Sequence, residues 1–282
     1  MKLAGQSGEL RRALQAAAEA PELFCFLDYD GTLAPIAPRP ELATPLPGVD
    51  TILARLARLP HTTVAVVSGR KAADLVSFLP IAGLFYVGLH GAEFRTPEGQ
   101  VIRAPLPPQA EELLQRWRAK LESLATLFPG VWIEDKGVAL ACHYRQAEAE
   151  AVRQLGQLLE EFAAELQAPS VPIEILRGNC VWELRPKGID KGRAVLWLLR
   201  TYRPAALPLY AGDDQTDEDA FAQLREEAIT IRVGPLDVPS KARYRVTSPH
   251  ELKEFLDMLA QQREQRTAAL ALSPHGNSQA RR

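Results

Sequence analysis

Acidic side chains recur where apolar segments of this chain end. Asp28 and Asp30 follow the apolar run 23–27, and Asp213 and Asp214 follow the run 207–211. Short continuous apolar runs predict buried strands of a parallel sheet, and open α/β sheets bind ligands at the carboxyl ends of their strands. Clustered carboxylates repel one another unless a cation compensates them. Because all-oxygen ligand sets favour hard ions, the pattern predicts a Mg²⁺ site.

The segment Asp28-Tyr29-Asp30-Gly31-Thr32 carries the sharpest chemical pattern. A carboxylate at a strand end can attack phosphorus and form an acyl phosphate. A second carboxylate two residues later can protonate the leaving oxygen and then take a proton from the attacking water. Gly31 and Thr32 would let backbone N–H groups approach the phosphoryl oxygens. Taken alone, the segment is equally consistent with a strand followed by an Asp-Gly turn, in which Asp28 is a cap.

Two further segments could hold a phosphate group. Ser68-Gly69-Arg70 follows an apolar strand and precedes a predicted helix, where Ser68 is either a helix N-cap or a hydroxyl ligand of a phosphoryl oxygen. Alone, the N-cap interpretation is favoured. Lys191 lies at the start of another predicted helix, a position that the helix dipole disfavours for a cation. This indicates either a pairing of Lys191 with Asp28 and a phosphate or a solvated surface charge.

An acidic run follows the predicted strand 207–211. Glu218 and Asp219 are typical of a solvated helix start, which favours acidic residues. That explanation suits Asp213 less well, because it comes directly at the end of the strand. The pattern favours metal ligation by Asp213, with either Asp214 or Asp217 assisting.

The order of predicted elements indicates an α/β protein with a doubly wound parallel sheet, because strands alternate with helices at both ends of the chain. The middle reads instead as helix, strand pair, helix, strand pair, an α+β pattern. We therefore predict a discontinuous core domain over 1–106 and 188–265, with an inserted α+β cap domain over 107–187. The tail 266–282 lacks hydrophobic periodicity, and we predict that it is disordered.

Composition limits the partners of this chain. It has 282 residues and a net charge of −2, so no overall basic field would hold nucleic acid or an anionic membrane surface. No apolar run approaches the length of a membrane span, and three cysteines suit buried thiols in a reducing compartment. We expect a cytoplasmic monomer that acts on a small molecule.

Taken together, these motifs resemble the four-part signature of the haloacid dehalogenase superfamily of phosphatases. The resemblance covers about 23–105 and 188–247, and the insertion matches the place of one cap class. It implies that Asp28 is the nucleophile and Asp30 the general acid/base. The phosphate-binding residues would be Ser68, Gly69, Arg70 and Lys191, and the metal-binding residues would be Asp28, Asp30, Asp213 and Asp214.

A narrower resemblance is to trehalose-6-phosphate phosphatases. It rests on the segments 27–33, 68–70, 88–93 and 212–219 in the core and 134–137, 143–145 and 178–186 in the cap. It implies that glucose hydroxyls are held by cap residues, namely Glu134, Lys136, Arg145, Asn179 and Glu183. Asn179 departs from the family, which usually has a lysine there; asparagine keeps hydrogen-bonding capacity but loses charge and reach.

The expected function is therefore Mg²⁺-dependent hydrolysis of trehalose 6-phosphate to trehalose and phosphate. Alternatives are a phosphatase for another glycosyl phosphate, such as glucosyl- or mannosyl-3-phosphoglycerate or sucrose phosphate, and a non-catalytic sugar-phosphate sensor. The complete set of Asp28, Asp30, Lys191 and Asp213 argues against a sensor, which does not need two carboxylates at the phosphorus. A dinucleotide-binding protein is disfavoured because no Gly-x-Gly-x-x-Gly follows the first strand.

Overall fold

A long β-sheet carries the predicted motifs, and a short β-sheet is inserted between its strands in the sequence. This computed structural model describes residues 8–272, except Pro108, Gln167, Pro169, Asn179 and Arg225. The long sheet contains β1 (Leu23–Asp28), β2 (Thr62–Val67), β3 (Leu84–Gly88), β4 (Glu93–Arg95), β5 (Val101–Arg103), β10 (Leu207–Gly212), β11 (Ile229–Val233) and β12 (Tyr244–Val246). The short sheet contains β6 (Trp132–Asp135), β7 (Leu140–His143), β8 (Ile173–Gly178) and β9 (Val181–Pro186).

Helices connect these strands and cover the sheets. They are α1 (Gly8–Glu19), α2 (Val49–Arg58), α3 (Ala72–Phe78), α4 (Ala110–Ala125), α5 (Ala149–Glu165), α6 (Lys191–Tyr202), α7 (Asp217–Gln223) and α8 (Pro249–Leu272). Among the residues described here, no helix is both long and apolar enough to span a membrane.

The long sheet has the order β12-β11-β10-β1-β2-β3-β4-β5. Strands β12 to β3 pair in parallel, and β4 and β5 add an antiparallel edge. Side chains of β1 alternate between two cores: Leu23, Cys25 and Leu27 pack with α1, α2 and α8, whereas Phe24 and Phe26 pack with α6 and α7. Helices on both faces explain why β1 is apolar from Leu23 to Leu27, and the predicted doubly wound sheet is confirmed.

The short sheet is antiparallel, with the order β6-β7-β9-β8. One of its faces packs on α4 and α5 through a separate apolar core that includes Trp117, Leu140, Leu159 and Leu184. Its other face carries polar residues toward the carboxyl ends of the long sheet. An α+β cap is thus inserted between β5 and α6, as the element order predicted, while the boundaries at 107 and 187 stay a prediction.

The end of the chain corrects one expectation. Residues 266–272, predicted to be a disordered tail, continue α8 as far as Leu272. The Arg263 guanidinium is buried and donates to the carbonyl oxygens of Ala17 and Ala20, and Arg266 donates to that of Ala18. These two arginines satisfy free carbonyls at the end of α1 and attach α8 to it close to the point where the predicted tail begins. The remainder of the predicted tail lies outside the described residues.

Candidate active site

The site is centred on a buried lysine between two aspartates. Lys191 begins α6 and is 2% exposed. Its Nζ lies 2.7 Å from Asp28 Oδ1, at the end of β1, and 2.8 Å from Asp217 Oδ1, at the start of α7. The structure therefore brings Asp28 and Lys191 together as the sequence predicted, and the alternative of a solvated lysine is wrong.

Both carboxylate oxygens of Asp217 accept hydrogen bonds from neighbouring groups. Its Oδ1 accepts from Lys191 and from the Tyr210 hydroxyl at 2.6 Å, and its Oδ2 accepts from the backbone N–H groups of Asp213 and Asp214, both at 3.0 Å. Four donors are matched by an ionised carboxylate, which only accepts. Asp217 thus fixes both the lysine and the loop after β10.

A carboxylate cluster stands beside this lysine. Oxygens of Asp28, Asp213 and Asp217 lie within 4.8 Å of one another. Burial raises the pKa of Asp28 well above its ordinary value; Lys191 opposes the rise, and Asp217 and Asp213 add to it. The pKa of Asp213 is raised to about 8, mainly by burial and further by the nearby carboxylates of Asp214 and Asp217. A hard divalent cation would offset this excess of negative charge, so the donor set fits the predicted Mg²⁺.

Gly31 leaves room for this cluster. Its φ is +81°, and a Cβ built on it would lie 2.1 Å from Asp213 Oδ2. A side chain at position 31 would therefore displace the Asp213 carboxylate, and the left-handed backbone independently favours glycine.

Two residues predicted as metal ligands are engaged elsewhere. Asp30 forms a bidentate pair with Arg70, with Nε–Oδ2 and Nη2–Oδ1 distances of 2.7 and 2.6 Å. Asp214 Oδ1 accepts hydrogen bonds from the backbone N–H and hydroxyl of Thr216. The carboxylate cluster found among the described residues contains Asp217 and neither of these two residues, so metal ligation by Asp30 and Asp214 stays a prediction.

Arg70 has a different contact from the one predicted. Its guanidinium lies 5.1 Å from the ring centroids of both Tyr29 and Phe78 while it holds Asp30. In this structure Arg70 orients the predicted acid/base, and a direct contact with phosphate stays a prediction. Ser68 Oγ accepts a hydrogen bond from the Arg70 backbone N–H at 3.2 Å, which resembles a cap although the side chain also lines the cavity.

A cavity of about 500 Å³ joins this site to the cap. Asp28, Ser68 and Lys191 contribute to its core side. The predicted sugar-binding residues that line its cap side are Glu134, Lys136, Arg145 and Glu183. Asn179, the remaining predicted one, lies outside the described residues.

Two polar side-chain contacts join cap residues over the cavity. Lys136 Nζ lies 2.6 Å from Glu183 Oε2, and His143 Nε2 lies 2.9 Å from Glu134 Oε2. The His143 ring also stacks on Trp132, with centroids 4.1 Å apart. This side of the cavity therefore offers charged and aromatic groups, which suit the hydroxyls and apolar faces of a sugar.

The comparisons with known proteins agree with this geometry. A family model described as trehalose-phosphatase matches residues 26–250. The chain belongs to the trehalose-phosphatase family. A trehalose-phosphate phosphatase of Mycobacterium tuberculosis is 34% identical over 267 residues, which cover 90% of this chain and 66% of that protein's length. A trehalose 6-phosphate phosphatase of Zea mays is 33% identical over 270 residues, covering 88% of this chain and 72% of that protein.

A solved structure shares the fold of this chain. The C-terminal domain of a C. albicans trehalose-6-phosphate phosphatase superposes with a TM-score of 0.79, at 24% identity, over 91% of this chain and 98% of that one. The arrangement of core and cap in this member of the trehalose-phosphatase family therefore also occurs in that solved structure.

The sequence leaves His90 of this family member open between a hydrogen bond to a loop and one to a substrate, and the structure shows its surroundings. His90 is 7% exposed, has a φ of +56°, and lies 3.2 Å from Glu183 of the cap. A positive φ at a residue other than glycine often marks a functional position. Segment 88–93, which contains His90, is part of the resemblance given above, but the residue type alone does not reveal the backbone conformation.

Proposed function

We propose that this chain hydrolyses trehalose 6-phosphate to trehalose and phosphate in the presence of Mg²⁺. The observation that carries the proposal is the Asp28–Lys191 pair, 2.7 Å apart and buried at one side of a cavity whose other side bears charged cap residues. Family membership supports the choice of substrate, because the relatives compared above carry that activity in their names.

In the proposed reaction, an oxygen of Asp28 attacks phosphorus and the bond between phosphorus and the sugar O6 breaks. Asp30, oriented by Arg70, donates a proton to the departing O6. Water then attacks the phosphorus of the aspartyl phosphate, Asp30 takes its proton, and the Asp28 carboxylate is released with phosphate. Lys191 balances the charge of Asp28 in the resting state and of the phosphoryl group during transfer.

The proposed metal ion would be held by Asp28 and Asp213, with Asp217 fixing the Asp213 loop from behind through the Asp213 backbone N–H. When bound, Mg²⁺ would supply positive charge that offsets the carboxylates and the phosphoryl oxygens. We expect phosphate release to stop in excess chelator and to return when Mg²⁺ is added. Full activity of metal-free protein, verified by elemental analysis, would refute this part of the proposal.

Sugar recognition is assigned to the cap, which we propose to extend over 107–187. Glu183→Ala should strongly reduce hydrolysis of the sugar phosphate and affect p-nitrophenyl phosphate much less, because that substrate has no hydroxyls to lose. Equal losses on both substrates would show that Glu183 serves the core or the fold.

The decisive experiment measures phosphate release from a panel that contains trehalose 6-phosphate, sucrose phosphate and both 3-phosphoglycerate glycosides. We expect trehalose 6-phosphate to have the highest kcat/KM. Asp28→Asn should lower kcat by several orders of magnitude. The matched control Asp257→Asn, at an exposed position in α8, should keep the kcat of the unmodified protein. A preference for another panel member would correct the substrate, and binding of trehalose 6-phosphate without turnover would instead support the sensor.

A further inference from the structure

His90 is fixed on the predicted phosphate-holding loop. It lies after β3, where Leu89 and His90 have φ values of +54° and +56°. The His90 N–H donates to the Ser68 carbonyl at 3.0 Å, and the Leu89 N–H donates to the Arg70 carbonyl at 2.8 Å. A Cβ built on Gly69 would lie 2.5 Å from His90 Nε2. The imidazole thus rests directly on Gly69, and the two left-handed residues hold it there at a conformational cost.

The His90 side chain also contacts the cap residue Glu183. Its Nε2 lies 3.2 Å from Glu183 Oε1, while Glu183 Oε2 is taken by Lys136 at 2.6 Å. His90 and Glu183 are 7% and 5% exposed. Both residues also line the cavity next to the Asp28–Lys191 pair. A core residue and a cap residue therefore converge at one point of the substrate cavity.

Two buried polar atoms at this contact lack hydrogen-bond partners among the described residues. Glu183 Oε1 and His90 Nδ1 are buried, and neither has a well-aligned hydrogen-bond partner among the described residues. Buried polar atoms are normally paired, and an unpaired one calls for an explanation such as a ligand. The short contact between the two side chains is thus an electrostatic approach that lacks good hydrogen-bond alignment.

The charge states of the pair are defined by their surroundings. Burial lowers the pKa of His90, and Glu183 only partly offsets the effect. Burial alone would raise the pKa of Glu183, but Lys136 and His90 together keep it well below its ordinary value. At neutral pH the pair is then a neutral imidazole, which has one N–H donor, facing a carboxylate, which only accepts.

We propose that His90 and Glu183 jointly bind one sugar hydroxyl, which makes the core residue His90 a determinant of sugar specificity. A hydroxyl both donates and accepts, so it can donate to Glu183 Oε1 and accept from His90 Nε2–H. Because His90 rests on the loop beside Ser68, the bound hydroxyl is the ring hydroxyl nearest the phosphorylated carbon. In a glucose 6-phosphate unit this is the C4 hydroxyl. The inference rests on the proposed function, since it concerns the same cavity.

Two substitutions separate hydrogen bonding from backbone shape. Asn suits a left-handed backbone but is too short to reach Glu183, whereas Gln places an amide N–H near the position of Nε2. We expect His90→Asn to lower kcat/KM for trehalose 6-phosphate by about 10–100-fold, the range for losing one hydrogen bond to a charged or polar site. His90→Gln should recover at least about 5-fold of that loss. Hydrolysis of p-nitrophenyl phosphate should change far less, by about 3-fold or less.

A substrate change tests the same contact from the other side. The unmodified protein should discriminate against 4-deoxytrehalose 6-phosphate by about 10–100-fold, and His90→Asn should reduce that discrimination to about 3-fold or less. The control is His61→Asn, which alters another left-handed histidine, φ +58°, at an exposed turn between α2 and β2. It should leave both activities at the level of the unmodified protein.

Equal losses on trehalose 6-phosphate and p-nitrophenyl phosphate in His90→Asn, or undiminished discrimination against the deoxy substrate, would overturn the inference. If the unmodified protein does not release phosphate from trehalose 6-phosphate, the proposed function fails instead. The His90 contact is then decided with the panel sugar phosphate that the protein does hydrolyse, through the same comparison of Asn and Gln variants.

Discussion

Replacing Lys191 by methionine tests the charge arrangement on which the site depends. The side chains have similar lengths, so Lys191→Met removes the charge with little change in packed volume. It leaves Asp28, 3% exposed, and Asp217, fully buried, without the cation that lies 2.7 and 2.8 Å from their oxygens. Removing one partner of a buried ion pair costs about 3–5 kcal/mol, because a buried charge is left uncompensated. We expect the free energy of unfolding to fall by that amount at pH 7, together with loss of turnover.

The loss should depend on pH with a defined sign. In the intact protein Lys191 opposes the raised pKa of Asp28, so the variant should have an even higher folded-state pKa at this residue. An acid whose pKa is higher in the folded state binds more protons there than in the unfolded chain, and folding gains stability as the pH falls. The gap in unfolding free energy between the two proteins should therefore narrow from pH 8 to pH 5.

The assay is urea unfolding followed by far-ultraviolet circular dichroism, in chelator so that metal binding does not contribute. Lys120→Met is the matched control, because Lys120 is 43% exposed and pairs with Glu165 at 3.0 Å on the cap surface; an exposed pair contributes about 1 kcal/mol or less. Equal stabilities of Lys191→Met and the control at pH 7, or a gap that widens toward pH 5, would refute the reasoning.

Three further predictions follow from the packing. Gly31→Ala should raise the Mg²⁺ concentration for half-maximal activity by about tenfold or more, because its Cβ would displace Asp213; an unchanged metal titration would contradict this. Burial raises the pKa values of Cys25 and Cys142 to about 12, so both thiols should resist Ellman's reagent at pH 8 until urea is added. Cys180 is partly exposed, so the measurement uses Cys180→Ser, and rapid labelling of that native variant would be the opposing result. Arg263→Leu should lower the free energy of unfolding, measured with urea, by about 3 kcal/mol or more, because several buried carbonyls lose a charged donor. A loss below about 1 kcal/mol would contradict the role of Arg263 in attaching α8 to α1.

Local sequence determined much of this protein. The apolar runs that end in Asp28, Ser68 and Asp213 are strands of the long sheet or lead directly out of them, because a strand buried on both faces must be apolar along its whole length. The change from alternating strands and helices to an α+β pattern likewise predicted the inserted cap, since each element's hydrophobic periodicity is a property of its own residues.

Only the tertiary structure decided which side chains meet. Local sequence does not distinguish Asp30, Asp214 and Asp217, and only the fold shows that they contact Arg70, Thr216 and Lys191, respectively. The contact of His90 with Glu183 joins residues 93 positions apart, and it depends on a left-handed backbone that the histidine does not specify by itself. Arg263 and Arg266 reach carbonyl groups of α1 and so attach the C-terminal part of α8 to the start of the chain. In each case the deciding energy comes from partners distant in the chain, which no local pattern of residues encodes.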